Sequence, residues 1–249
     1  MLNDWPRPLV IGHRGASAYA PENTLAAFEL AIKHRADAIE FDVKLSSDHQ
    51  VVVIHDPTVD RTTNGTGKVA NLPLGVLKEL DAGIKYSDKF TGERIPTLID
   101  VFERFGKKIL MNVELTNYST PFDGLVKEVV ELVKFYDLED QILFSSFLEK
   151  NLNISRKLLP EVPCGLLAFS GWMGYFPRKS GWKRKFQALH PNIADVNQDL
   201  IAALHTAEKR INVWTVNGEE NLRHMLDLKV DGIFTDDPGL LRRILEQNK

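Results

Sequence analysis

The stretch AIEFDVKLSSDHQVVVIH, residues 38–55, holds two strands too close together for a crossover connection. Ala38 to Val43 and Val51 to His55 are β-rich apolar runs, and only Lys44 to Gln50 separate them. A parallel crossover needs about a dozen residues, so the two runs are expected to pair as an antiparallel hairpin. Elsewhere short apolar runs alternate with helical patterns. The strands read as Leu9 to His13, Ala38 to Val43, Ile109 to Glu114, Gln141 to Ser145, Cys164 to Phe169, Ala188 to His190, Ile211 to Val216 and Gly232 to Thr235. That alternation over 249 residues predicts an α/β fold with a parallel sheet, and a (β/α)8 barrel typically takes about this length. Keeping Ala38 to Val43 in the barrel lifts the hairpin above the C-terminal rim and returns His55 onto it. Residues 46–96, rich in turn signals such as Asn64-Gly65-Thr66-Gly67 and Asn71-Leu72-Pro73, then form an insertion between the second strand and its helix, within a single domain spanning 1–249.

Helical spacing recurs between the strands, at Phe122, Leu125, Val126, Val129, Val130, Val133 and Tyr136, at Leu200, Ile201 and Leu204, and at Leu240, Leu241, Ile244 and Leu245. Each set predicts one buried helix face. Asn23 or Thr24 can cap the first helix, Thr97 with Asp100 resembles a capping box, and Asp237 precedes a proline at a first helical position. The composition is that of an ordinary globular protein: 31 basic against 34 acidic residues, a net charge of −3 and 43% hydrophobic residues. Such a balance argues against a polybasic nucleic-acid binder, and no run of about 18 apolar residues predicts a membrane span. The N-terminus, with Asp4, Pro6 and Pro8, reads as an unprocessed cytoplasmic start. The lone Cys164 excludes an intrachain disulfide and a multi-cysteine zinc site, leaving carboxylates, histidines and an oxygen-bound metal to carry chemistry.

In strand 38–43 the period of two sends Glu40 and Asp42 to one face, with Ile39, Phe41 and Val43 opposite. Burying two acids costs several kcal/mol per ion unless a cation sits with them. On the next barrel strand Glu114 falls at the same rim if Leu110, Asn112 and Glu114 face inward. Three converging carboxylates suit Mg²⁺, Ca²⁺ or Mn²⁺; the simpler reading gives each acid a Lys or Arg. His13 and His55 each close a strand at its C-terminal end, where barrel enzymes place catalytic groups, and either can move a proton near neutral pH. Arg14 suits a phosphate or carboxylate, its simpler use being an ion pair with Glu22.

These residues carry a resemblance. His13-Arg14-Gly15 with Pro21-Glu22-Asn23-Thr24, then Glu40-Phe41-Asp42-Val43, Val53-Ile54-His55-Asp56, Asn112-Val113-Glu114-Leu115, Trp214-Thr215-Val216-Asn217 and Asp231-Gly232-Ile233-Phe234-Thr235-Asp236 follow in order over nearly the whole chain. As a set they resemble the bacterial glycerophosphodiester phosphodiesterases. The resemblance implies a TIM barrel with a family insertion and hydrolysis of glycerophosphodiesters to glycerol 3-phosphate and an alcohol. By position it makes Glu40, Asp42 and Glu114 the ligands of a divalent metal, His13 and His55 the acid–base pair, Arg14 a phosphate contact and Trp214 a wall for the glycerol carbons; barrel packing is the plainer use of Trp214.

One departure stands out. Where family members commonly carry a lysine after Glu-Leu, this chain has Thr116, with Lys44 as a candidate substitute, and restoring lysine at 116 is expected to raise phosphodiester affinity or turnover. The aromatic segment from Phe169 to Phe176 reads as a lid, a subunit contact or a small local core. Two rival functions stay open: a lysophospholipase D-like activity, which needs an apolar groove or interfacial helix, and a non-catalytic phosphate-ester binding protein, which would be expected to lack a histidine or a metal carboxylate.

Overall fold

The computed structural model describes residues 2–180 and 185–247. Its sheet runs β1 (Leu9–Gly12), β2 (Ala38–Leu45), β3 (Val51–Val53), β4 (Leu110–Leu115), β5 (Ile142–Ser146), β6 (Cys164–Ala168), β7 (Ala188–Pro191), β8 (Arg210–Val213) and β9 (Gly232–Thr235). The order β1-β9-β8-β7-β6-β5-β4-β2 closes on itself through a β1–β2 pairing, all parallel, which is the (β/α)8 TIM barrel expected from the sequence. β3 pairs antiparallel with β2, Val43 opposite Val53 and Leu45 opposite Val51, as the short spacing required.

Flanking the barrel are α1 (Leu25–Lys33), α3 (Leu98–Phe105), α4 (Leu125–Phe135), α5 (Glu149–Leu158), α6 (Tyr175–Ser180), α7 (Gln198–Thr206), α8 (Glu219–Asp227) and α9 (Pro238–Gln247), while α2 (Leu74–Glu79) belongs to the insertion. Thr24 caps α1 by accepting from the Ala27 N–H, Thr97 and Asp100 complete a reciprocal capping box on α3, and Asp237 accepts from Leu240 at the head of α9. The outward face of β2, Ile39, Phe41 and Val43, is fully buried under the helices, Phe41 lying 5.6 Å from the ring of Phe28. Removing either ring would cost about 3–5 kcal/mol. The segment between β2 and α3 packs a separate apolar cluster of Val52, Ile54, Val59, Val69, Leu77, Ala82 and Ile95. Among the described residues no helix is long and apolar enough to cross a membrane.

Two details depart from the sequence reading. Phe122 lies ahead of α4 and is exposed, because Gly124, at φ 90°, starts that helix after it and turns Phe122 off the buried face. The seventh barrel strand, β8, ends at Val213 rather than Val216: Trp214 makes only an isolated bridge to Asn192 before the chain leaves the ladder.

The barrel floor is held by a buried arginine. Arg210 donates to the carbonyls of Leu2, Trp5, Pro6 and Asp231, pinning a short 3-10 turn whose Leu2 and Trp5 pack with Leu9, Ile11 and Phe234. Higher in the barrel His190 is fully buried, its Nε2 accepting from Asn212 at 3.1 Å. Burial, with the nearby Arg210 charge second, pushes its imidazole down to about 3. An unfolded imidazole takes its proton near pH 6.5, so the fold binds fewer protons between the two values and loses stability as pH falls through that window, by up to ~1.4 kcal/mol per pH unit. Urea midpoints measured between about pH 7 and pH 4 are expected to fall more steeply for the wild type than for His190→Gln. Parallel slopes would mean that His190 is charged in the native state.

Candidate active site

His13 leaves β1 with its N–H on the Thr235 carbonyl, and the next two residues take left-handed conformations, Arg14 at φ 55° and Gly15 at φ 86°. A side chain at Gly15 would put its Cβ 2.6 Å from the Ala27 carbonyl carbon, so glycine lets this turn lie directly on α1. The turn aims the Arg14 N–H at Glu40 Oε2, 2.9 Å away.

Register does the rest. β2 and β4 align Glu40 with Asn112 and Asp42 with Glu114, bringing carboxylates from neighbouring strands to one height. Glu40 and Asp42 are buried and Glu114 is partly so, and one oxygen from each lies within 4.8 Å of the others. Their polar partners leave the cluster short of positive charge: Asn23 Nδ2 donates to Asp42 at 2.9 Å, Arg14 Nε comes within 3.4 Å of the same oxygen, and the Tyr118 hydroxyl donates to Glu114 at 2.7 Å. Burial first, then repulsion among the three acids, raises Glu40 and Glu114 above the usual carboxylate range. Ligands 2.3–2.6 Å from a Ca²⁺ lie no more than about 5 Å apart, so three hard oxygens this close fit a divalent cation. The arrangement is not three ordinary ion pairs.

His13 and His55 line one pocket of about 100 Å³ with Arg14, Glu40, Glu114, Phe147 and Trp214. Each ring is held by a carboxylate. His13 Nδ1 lies 2.7 Å from Asp236 and His55 Nδ1 2.7 Å from Asp56. Asp56 is lowered to about 2, chiefly by its hydrogen bond from Arg61, and Asp236 is lowered by bonds from His13, Asn217 and Ser17 that outweigh its burial. Ionised carboxylates only accept, so both Nδ1 atoms carry hydrogen and both Nε2 atoms are left for proton transfer. Arg14 also donates to Glu22 at 2.9 Å, so the ion pair and the place beside the site are both realised. Glu22 is shared with Arg61, which clamps Asp56 from its other side and so ties the insertion to His55. Trp214 anchors its indole N–H on the His190 carbonyl and meets Phe147 edge-on, both packing residue and pocket wall.

The model of the glycerophosphoryl diester phosphodiesterase family matches residues 13–240. The chain belongs to that family. It is 40% identical to a glycerophosphodiester phosphodiesterase of Caldanaerobacter subterraneus over 97% of this chain and 99% of the relative, and 35% identical to one of Bacillus altitudinis over 96% and 99%. Among solved structures, a phosphodiesterase of Oleispira antarctica in complex with the product sn-glycerol 3-phosphate aligns with a TM-score of 0.86 at 30% identity, covering 96% of this chain and 97% of that one. The glycerophosphodiester phosphodiesterase of Agrobacterium tumefaciens aligns at 0.80 and 30%, covering 94% and 98%.

Every site residue expected from the sequence of this phosphodiesterase family member lines or adjoins the same pocket. What that reading missed are the supports. Asp56 directly follows His55 and could have been flagged as its partner; Asp236 lies 223 residues from His13, and nothing local to either marks the pair. Arg61 and Tyr118 carry no sequence signal of their own. At Thr116, where the resemblance led us to expect a lysine, Lys44 reaches across from β2 and donates to the Thr116 carbonyl at 2.6 Å and its hydroxyl at 3.0 Å.

Proposed function

We propose that this chain hydrolyses glycerophosphodiesters to glycerol 3-phosphate and an alcohol, using a Mg²⁺ or Ca²⁺ ion held by Glu40, Asp42 and Glu114. The observation that carries this reading is the facing of two carboxylate-held histidines and a three-carboxylate cluster across one pocket. When bound, the cation supplies neutralisation of phosphate oxygens as charge grows in the transition state. Arg14 adds its guanidinium beside the same oxygens, and Trp214 offers an apolar wall for the glycerol carbons.

His55 takes on Nε2 the proton of the attacking oxygen, and His13 gives one to the leaving alcohol; attack by water yields glycerol 3-phosphate directly, and attack by the glycerol 2-hydroxyl yields a cyclic phosphate that water then opens. The assignment follows from their partners. Asp56 is already clamped by Arg61, whereas Asp236 receives only neutral donors besides His13, so its full charge is available to an imidazolium there. A panel of glycerophosphocholine, glycerophosphoethanolamine, glycerophosphoinositol and lysophospholipids, assayed for released glycerol 3-phosphate with and without added divalent metal, tests the reading. Tight binding of such diesters without product would favour a phosphate-ester binding protein instead.

The Lys44–Thr116 contact changes what to expect of position 116. A lysine there would meet the ammonium of Lys44 and remove the hydroxyl that donates to the Val43 carbonyl, so Thr116→Lys alone should lower turnover, not raise it. Lys44→Met should lower it about tenfold, less than the 10²–10³ of a direct transition-state donor, because Nζ is committed to Thr116. In the double variant Lys44→Met/Thr116→Lys turnover should recover towards wild type. A gain from Thr116→Lys alone would show that Lys44 does not fill the family's position.

A further inference from the structure

The C-terminal rim also carries an apolar surface that the proposed reaction does not use. Beyond β6, Trp172 is 85% exposed and Phe176 72%, with Met173 and Tyr175 exposed beside them. Arg178 is spent on holding this turn in shape, donating to the carbonyls of Phe169 and Gly171 and pairing with Asp195. Large aromatics fixed in water on one short turn mark an interaction surface. The surface is continuous with the pocket: Phe169 stacks on Phe147 at 3.8 Å, and Phe147 meets Trp214 at the pocket wall.

Charge decides what the surface fits. The sequence from Phe169 to Phe186 contains no acid, and Lys179 and Lys185 within it are exposed; of the acids that reach the turn from the loop and helix after β7, Asp195 is paired with Arg178 and Asp199 lies by Tyr175 and Lys179. In the rim loop after β4, Phe122 is 87% exposed with the Lys150 ammonium 3.4 Å over its ring. A second copy packed face to face would bring these lysines against one another. Aromatics interleaved with lysine match a lipid–water boundary, where Trp and Tyr rings settle at the headgroups and cations meet anionic lipid. We infer that the barrel mouth docks on an anionic lipid surface through the 169–180 turn, with Phe122 and Lys150 as a second foot. The docking requires no turnover. If the proposed hydrolysis also holds, a diester with an acyl chain could reach the pocket along Phe169 and Phe147 without leaving the lipid.

The test is co-sedimentation of the full chain with phosphatidylcholine vesicles, with and without phosphatidylglycerol. Binding is expected only with phosphatidylglycerol present. It should weaken about fivefold for each of Lys179→Gln and Lys185→Gln, and about tenfold or more for Trp172→Ser or Phe176→Ser. Glycerophosphocholine turnover should be unchanged in all four, so loss of catalysis and loss of docking read separately. Three results would overturn the inference: no binding to either vesicle, binding that the substitutions leave intact, or a solution dimer that Trp172→Ser dissolves, which would make the face a subunit contact.

Discussion

His13→Ala and His55→Ala should each lower turnover of a natural glycerophosphodiester by about 10²–10⁴-fold, the range for a positioned acid or base, while the thermal stabilisation given by divalent metal is retained. The separation is expected because the three carboxylates form a complete oxygen site without either ring, and both imidazoles are engaged through Nδ1 by other acids. The two variants should then part company on a diester with a nitrophenolate leaving group. An alcohol that departs readily needs no proton, so His13→Ala should regain most of its turnover on that substrate while His55→Ala should not. The opposite pattern would exchange their roles. Loss of metal stabilisation in both would make the histidines ligands, and near-normal turnover of natural diesters in both would remove them from catalysis.

Excess chelator should abolish turnover, and Glu40→Gln, Asp42→Asn and Glu114→Gln should each do nearly the same by weakening the metal. Stability gives an independent readout. A ligand bound only by the native state stabilises it by about 2.7 kcal/mol at a hundred times its Kd, so the melting temperature should rise with metal concentration. The metal-free order should run the other way. Burial and mutual repulsion already work against Glu40 and Glu114, so neutralising one acid relieves the empty cluster. Each amide variant should therefore melt at or above the wild type in chelator and below it in saturating metal. Full activity in chelator would remove the metal from the mechanism, and curves that do not cross would mean that the three acids do not act as one site.

Most of the barrel could be read from the chain because its signals are local. The alternation of β-rich and helical runs, and a seven-residue gap too short for a crossover, depend only on neighbouring residues. The three clustered carboxylates were equally accessible, since the period of two puts Glu40 and Asp42 on one face and parallel pairing with the next strand supplies Glu114. Phe122 was misplaced because periodicity cannot see where a helix begins when the residue that decides it is a left-handed glycine. The supports of the histidines stayed hidden for a different reason. Asp236 meets His13 only after β9 packs beside β1, and Arg61 meets Asp56 and Glu22 only after the insertion folds down, contacts with no expression in local pattern.

The His13–Asp236 contact also sets an order in time. A growing chain has carried both histidines and all three acids by Glu114, yet His13 cannot be oriented until β9 has been made and has slotted between β1 and β8. The first half of the molecule can thus hold most of the chemistry without being able to perform it. In refolding, turnover should appear with ring closure rather than with the bulk of secondary structure, which makes it a reporter for the docking of β9.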